Sequence, residues 1–326
     1  MSSLKNKKIQ SAAQLLLAAL LLFQLAACAA RRGAPAAGSE EYATFRDVPG
    51  VTADEIAAIE EISAQSAVLL YGMTSSTECF FDNASNSNKG YAVLFCKWLT
   101  DFFGVRFRPN IYEWDVLMRG LDSGEIQFSG DISSRMTAAD GFYSTDAIAE
   151  RRIVFVSSDG MTMTRRRVEN DNRQMRYGFL KGASAYEIVA PYLGEDAEFV
   201  EISDYVDMRQ KLMLGQIDAL AMDETVDVIF PPDDNFVTET FEPIAFNSVS
   251  MATADERYAP FISVLQKYLD AAGTYKLRDM YEDGRTVYLQ YRLHQRLGDA
   301  HFSYIDAHAT AETAVRIAID RDDYPV

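Results

Sequence analysis

The sequence predicts an α/β protein made of two similar lobes that face each other across a cleft. Two observations carry that expectation. A short pattern occurs twice, as Leu121-Asp-Ser-Gly124-Glu-Ile126 and as Leu212-Met-Leu-Gly215-Gln-Ile217, 91 residues apart, and each copy leads to an acid, Asp131 or Asp223. In each copy an amphipathic helix runs into a glycine, then a short apolar strand. Trp114, Leu117, Met118 and Leu121 fall at i, i+3, i+4 and i+7, and Tyr205, Met208 and Leu212 nearly repeat this. Glycine ends each helix because it takes the left-handed conformation at low cost. The second observation is the position of the two acids. Ligands of open α/β sheets bind beyond the carboxyl ends of strands, and here Ile126–Phe128 and Ile217–Ala221 are strands whose far ends carry those acids.

The N-terminus reads as an address. A basic start precedes an apolar run, Ala12–Ala27, which has the layout of an export signal over 1–27. Leu25-Ala26-Ala27-Cys28 resembles a bacterial lipobox, which implies cleavage before Cys28 and a lipid on that cysteine. An uncleaved anchor helix over Ile9–Ala30 is the alternative. Either places the rest of the chain outside the cytoplasm, tethered to a membrane. Residues 28–51, rich in small residues, read as a flexible tether. Thr52-Ala-Asp-Glu55 is a capping box that opens a short helix over 52–65, with Ile56, Ile59 and Ile62 along one side.

The remaining elements come in order. Ser66–Met73 is a compact apolar run of the kind that forms a buried strand. The polar stretch from Thr74 to Lys89 carries Cys79, Phe80 and Phe81. Gly90–Phe103 is a helix with Tyr91, Leu94, Phe95, Trp98, Leu99 and Phe102 on one face, and Val105–Pro109 is the next strand. Past the first copy of the motif, Ile132–Thr145 reads as a polar loop, Arg152–Ser157 as a strand, and Arg165-Arg166-Arg167 as a solvated turn. Tyr177–Leu180 is a strand leading to Ser184-Ala-Tyr-Glu187, a second capping box. Past the second copy come a loop at Pro231, a strand over Phe246–Ala252, and helices over Tyr258–Ala271 and Leu277–Tyr291.

Composition narrows the function. With a net charge of −17 the chain repels phosphate backbones, so nucleic acid is no partner. His294, His301 and His308 all lie near the C-terminus, and neither H-x-x-x-H nor C-x-x-C occurs, so no metal is expected. Without a P-loop, a G-x-G-x-x-G or a G-x-S-x-G, no cofactor is expected either. Cys79 and Cys96 can pair outside the cytoplasm, or Cys96 is a small core residue.

From Ser66 to about Arg292 the order of elements resembles the family 3 extracellular solute-binding proteins. The matching stretches are Glu113-Trp-Asp-Val-Leu with Gly124-Glu-Ile and Gly130, Ser144-Thr-Asp-Ala-Ile with Arg151, Gly178-Phe-Leu-Lys-Gly, and Gly215-Gln-Ile-Asp-Ala with Asp223. The resemblance implies a two-lobed, type II periplasmic-binding-protein clamshell with two hinge strands, here Arg152–Ser157 and Phe246–Ala252. Lobe 1 would comprise 66–155 and 250–295, and lobe 2 would comprise 156–249. The segment 296–326 is an extension. Its last part, Val315–Val326, resembles the opening strand of a further binding domain of the same kind, as at the head of a tandem sensor; a strand that adds to the existing sheet is the alternative.

The resemblance also suggests site residues. Family members that bind amino acids grip the α-carboxylate with an arginine in the loop after the first G-x-I strand. That position falls on Ala138 here, in a loop containing Gly130, Asp131, Ser133 and Arg135. Arg135 either substitutes from three residues earlier or lies on the surface. Asp223 occupies the position that contacts a ligand's ammonium group, or else it caps a helix over Glu224–Ile229. Ser184 either seats a carboxylate at a helix N-terminus or only caps its own helix. Phe80, Phe81, Trp114 and Tyr143 are aromatics in or beside cleft loops. Phe81 matches the family's stacking aromatic, whereas the helical spacing of Trp114 says core. The implied function is extracytoplasmic binding of a small solute, amino-acid-like or otherwise small and polar, by lobe closure. An ABC permease or a signalling domain would read the closed form. The alternative is a secreted dehydratase-type enzyme on the same fold, with Asp131, Asp223 and Glu224 as its acid–base candidates.

Overall fold

The repeated motif builds the same piece of structure twice. In the computed structural model, which describes residues 42–136, 140–163, 165, 174–194, 197–231 and 235–308, the first copy ends a helix at Trp114–Ser123 and the second ends one at Tyr205–Met213. Gly124 and Gly215 both turn the chain at positive φ, +75° and +63°. The strands that come next, Phe128–Ser133 and Ala219–Asp223, start two residues later than the apolar pattern suggests. Ile126 and Ile217 instead tuck beneath the sheet, each against a strand glycine. A Cβ on Gly72 would lie 2.4 Å from Leu117 and 3.0 Å from Ile126, and one on Gly178 would lie 2.8 Å from Ile217. The residue after each isoleucine then ties down the neighbouring strand. Gln127 Oε1 accepts from the Leu70 N–H at 2.8 Å, and Asp218 Oδ2 accepts from the Arg176 N–H at 2.9 Å.

Around these copies the chain forms one mixed sheet. In chain order the strands are β1 (Leu69–Met73), β2 (Phe80–Asp82), β3 (Ser87–Lys89), β4 (Phe107–Ile111), β5 (Phe128–Ser133), β6 (Tyr143–Ser157), β7 (Arg176–Leu180), β8 (Glu198–Ile202), β9 (Ala219–Asp223), β10 (Val237–Thr240) and β11 (Phe246–Thr253). The sheet order is β4-β1-β5-β11-β6-β9-β7-β8, with β10 on β6, and β2 pairs with β3 in a separate hairpin. Within the first half β1 runs parallel to β4 and β5, and within the second β7 runs parallel to β8 and β9. The helices are α1 (Ala53–Gln65), α2 (Tyr91–Phe103), α3 (Trp114–Ser123), α4 (Ala185–Val189), α5 (Tyr205–Met213), α6 (Ala259–Ala272), α7 (Tyr275–Arg296) and α8 (Asp299–Ala307).

Two strands connect the halves. β6 pairs with β11 from Tyr143 to Arg152, then with β9 from Ile153 to Val156. β11 also pairs on its other side with β5. The hinge expected at Arg152–Ser157 and Phe246–Ala252 is therefore present, but its first strand begins at Tyr143 inside the stretch expected to be loop. Each half has its own core. Phe95, Leu99, Phe102, Phe128, Phe261 and Tyr268 are buried together in the first, and Val156, Ile202, Met208, Leu212, Ile217 and Phe230 in the second.

Two expectations need correction. The tether does not extend to residue 51, because Tyr42 onward packs on the first half: Phe45 is fully buried and its ring lies 5.6 Å from that of Phe103. Ser184 is in a helical conformation and makes no capping bond. The capping box at Thr52, by contrast, forms with both of its bonds. Cys79 and Cys96 are free and buried. The export signal, Cys28, Ala138, most of Arg165-Arg166-Arg167 and Val315–Val326 lie outside the described residues. Among the described residues no helix is long and apolar enough to cross a membrane.

Candidate functional site

The cleft is organised around Arg151. This residue sits where β6 passes from one half to the other, and its side chain is 5% exposed. A bare arginine cannot be buried at that depth without compensating anions. Three carboxylates supply them, one from the loop after β1 and one from each copy of the repeated motif. Glu78 accepts from Nε at 3.0 Å and from Nη2 at 2.7 Å, as a bidentate fork. Asp131, in β5, accepts from Nη2 at 2.7 Å. Asp223, at the end of β9, accepts from Nη1 at 3.3 Å. Burial pulls the guanidinium's pKa down, but Glu78, Asp131 and Asp223 outweigh it and hold the group charged.

Each carboxylate has further partners. Thr74, at the end of β1, donates to Asp131 Oδ2 from its backbone N–H and its hydroxyl. Tyr281 of α7 donates to Glu78 at 2.8 Å. The Asn247 side-chain amide, on β11, donates to both oxygens of Asp223 at 3.2 Å. Its carbonyl in turn accepts from Ser133 of the first half and Ser184 of the second, both at 2.9 Å. With all four charged groups ionised the cluster carries two negative charges in excess. Burial raises the Asp223 carboxyl to about 6, against the opposing pull of Arg151 and Asn247.

The halves are closed on each other. The Thr77 N–H donates to the Thr225 carbonyl at 2.9 Å, Thr74 of the first half and Tyr205 of the second line the same cavity, and Trp114 packs against apolar clusters of both halves. What remains between them is a cavity of about 70 Å³ lined by Thr74, Trp114, Asp131, Arg151, Asp223 and Asn247, among others. That is space for roughly five waters.

The structure brings together five of the expected site residues. Trp114, Asp131, Ser133, Ser184 and Asp223 all line this cavity. The remaining expected residues lie elsewhere. Phe80 is buried against Tyr288 and Tyr291 of α7, at ring distances of 5.3 and 4.7 Å, so it belongs to the core. Phe81 is exposed on the β2–β3 hairpin, and Tyr143 is exposed at the start of β6. Gly130 lies under Tyr71, whose hydroxyl stands 2.0 Å from where a Cβ would be, so its role is packing. Arg135 is exposed and lines an outer hollow beside Met136 and Tyr186. Asp223 precedes a 3-10 helix, Glu224–Val228, but makes no capping bond to it; its oxygens go to Arg151 and Asn247.

Sequence reasoning missed Arg151, Glu78, Thr74, Tyr205 and Asn247. The available signal for Arg151 was its place at the hinge, next to a strand expected to be buried.

Two lobes, a pair of crossing strands and a cleft bounded by the ends of β5 and β9 define the type II periplasmic-binding-protein fold. No protein-family model matches the sequence, and no curated protein matches it. Solved structures share its fold at low identity. The VFT2 domain of BvgS from Bordetella pertussis is 14% identical with a TM-score of 0.55, over 72% of this chain and 99% of that one. AbpA from Streptococcus pneumoniae, an amino acid ABC transporter substrate-binding protein bound to L-arginine, is 16% identical with a TM-score of 0.51, over 70% and 98%. An ancestral amino acid-binding protein, a precursor of cyclohexadienyl dehydratase, is 15% identical with a TM-score of 0.52, over 69% and 98%.

Proposed function

We propose that this chain is an extracytoplasmic binding module whose cleft takes a small solute bearing an ammonium or guanidinium group. The observation that carries the reading is the convergence of Asp131 and Asp223, one from each lobe, on a single cation. In the closed form that cation is the protein's own Arg151. A solute cation reaching the opened cleft finds two carboxylates from opposite lobes, while Arg151 keeps its two-point contact with Glu78. Ser133, Ser184 and Asn247 supply neutral hydrogen-bonding groups for the rest of the solute. Differential contact with the closed state is what shifts the balance between open and closed forms. A permease or a signalling domain would read that shift. The arginine-bound relative in fold, AbpA, agrees with a cationic ligand.

The N-terminal reading belongs to the same proposal: export, cleavage before Cys28 and a lipid on that cysteine, which would hold the module at a membrane surface. Intact-mass analysis of the wild type and of Cys28→Ala from membrane fractions tests it. A mature chain that starts elsewhere and carries no lipid would exclude it.

A thermal-shift series over L-arginine, L-lysine, polyamines, neutral amino acids and organic acids tests the ligand class. A true ligand at 100 times its Kd stabilises by about 2.7 kcal/mol. Cationic solutes are expected to stabilise the wild type and to lose the effect in Asp131→Asn with Asp223→Asn. No response to any cationic solute would refute the reading. The dehydratase alternative draws on one feature, an Asp223 carboxyl near 6 and so suited to proton transfer. Steady product formation from a prephenate-like substrate, abolished in Asp223→Asn, would decide for it.

A further inference from the structure

In the closed form the cleft has room for only part of a solute. Its cavity of about 70 Å³ admits a cationic head of a few heavy atoms and excludes a whole amino acid with a long side chain. A hollow of about 570 Å³ lies directly outside it. Met136, Leu180, Ala183 and Ser184 line both spaces, so these four residues form the wall between them. That wall is easily passed. Ala183 and Ser184 are small, and Met136 has an unbranched, adaptable side chain. Trp114 stands at the same junction. It lines the cleft, and its Nε1 lies 3.7 Å from where a Cβ on Gly182 of the hollow would be.

Three rings from three elements of the second lobe meet in the hollow. Tyr186 of α4 stands 5.3 Å from Phe179 of β7 and 5.3 Å from Phe199 of β8, with the rings edge to face at 88° and 84°. Phe179 is buried, whereas Tyr186 and Phe199 are 45% and 39% exposed. Large apolar side chains exposed side by side mark a binding surface, which single scattered ones do not. The charges around the rings limit what the solute carries. Asp140, Glu187 and Glu201 stand against Arg135 and Lys181, and Lys181 is already paired with Glu201 at 3.3 Å. With these groups ionised the hollow has one negative charge in excess, and the cleft has two. A net cation is drawn to both, while a zwitterion, with no net charge, gains far less from that field.

We propose that the solute is an arylalkylamine, a primary amine with an aromatic body and no carboxylate. This rests on the cleft being a cation site, as argued above, and narrows the cation. The ammonium lies between Asp131 and Asp223, a short alkyl chain passes Ala183 and Ser184, and the ring lies against Tyr186 and Phe199. The cleft then sets the charge of the solute, and the hollow selects its body.

Calorimetry and thermal shift on the full chain test this with phenethylamine and tyramine (ring and charge), butylamine (charge only), phenethyl alcohol (ring only) and L-phenylalanine (ring, charge and carboxylate). Phenethylamine is expected to bind about tenfold or more tighter than butylamine, through burial of its ring. L-phenylalanine should bind more weakly than phenethylamine by a similar factor, and phenethyl alcohol should not bind. Tyr186→Ala and Phe199→Leu each change an exposed ring and should erode the preference for phenethylamine over butylamine. Asp131→Asn with Asp223→Asn should lose both amines. Equal affinity for phenethylamine and butylamine, L-phenylalanine binding as tightly as phenethylamine, or a ring preference that survives both ring substitutions would overturn the arylalkylamine assignment and leave the cleft reading in place. A response to L-arginine with none to phenethylamine would do the same. No response to any cationic solute would refute both.

Discussion

Arg151 Nη1 stands 3.3 Å from Asp223 Oδ2, the longest of the contacts the guanidinium makes and the one that reaches the second lobe. Its other three bonds, at 2.7 to 3.0 Å, go to Glu78 and Asp131 of the first lobe. The arginine is therefore anchored on one side and latches the other. Removing one member of a buried ionic cluster leaves the rest uncompensated, at about 3–5 kcal/mol. Arg151→Met is expected to lose stability of that order in urea unfolding. Arg151→Lys should recover only part of the loss, because an ammonium cannot make the two-point contact with Glu78.

The same contact predicts a pH dependence. The Asp223 carboxyl lies at about 6 in the folded chain, against 3.8 for an ordinary aspartate. The folded state thus holds an extra proton between those values, and stability falls as pH rises from about 4 to about 6. The loss amounts to roughly 3 kcal/mol at most. Glu55 works in the opposite sense. Burial raises its pKa, but Lys267, Ser263 and Thr52 together bring it down to about 2 from 4.5. Its contribution is complete above 4.5 and is lost as pH falls toward 2. Unfolding free energies measured from pH 3 to pH 8 should show the rise below pH 6 in the wild type and not in Asp223→Asn. Binding of a cationic solute should weaken over the interval in which Asp223 gains its proton.

How much of this could be read from the residues alone depends on range. Gly124 and Gly215 end their helices as their neighbours require, and the Thr52–Glu55 capping box closes, because those interactions span only a few positions. Asp131 and Asp223 were legible because the motif that places them recurs. Arg151 was not, since its partners lie 73, 20 and 72 positions away, and a shift of one residue along β6 would have put Arg152 in its place. In the structure Arg152 has a side chain 48% exposed and pairs with Glu224 at the surface. Ser184 failed as a cap for a similar reason: Asn247, 63 positions away, takes its hydroxyl. Phe80 and Phe81 differ only in which face of a hairpin strand they occupy, and α7, which buries Phe80, comes from the far end of the chain.

Gly130 tests whether a residue of the binding loop is there for packing. A Cβ at this position would meet the fully buried Tyr71 ring and its hydroxyl. Gly130→Ala is expected to cost about 1–3 kcal/mol as an overpacked core substitution. Tyr71→Phe removes the atom nearest the new methyl, so the double variant should be more stable than the sum of the two single losses predicts. Strict additivity in urea unfolding would show that the ring moves aside freely and that Gly130 has another role.

Trp114 offers a direct reading of lobe closure. The chain has two tryptophans. Trp98 stacks on Phe102 at 4.9 Å in the first-lobe core, while Trp114 packs against both lobes and lines the cleft. Trp98→Phe, an aromatic exchange in an aromatic cluster, leaves Trp114 as the single emitter. In that background Arg151→Met should shift the emission to longer wavelength, because losing the latch lets water reach the indole as the lobes part. A cationic solute that draws Asp131 and Asp223 together should shift it back. If emission stays fixed through both changes while circular dichroism shows the chain folded, the lobes do not move about β6 and β11, and Arg151 stabilises a static body rather than a closing one.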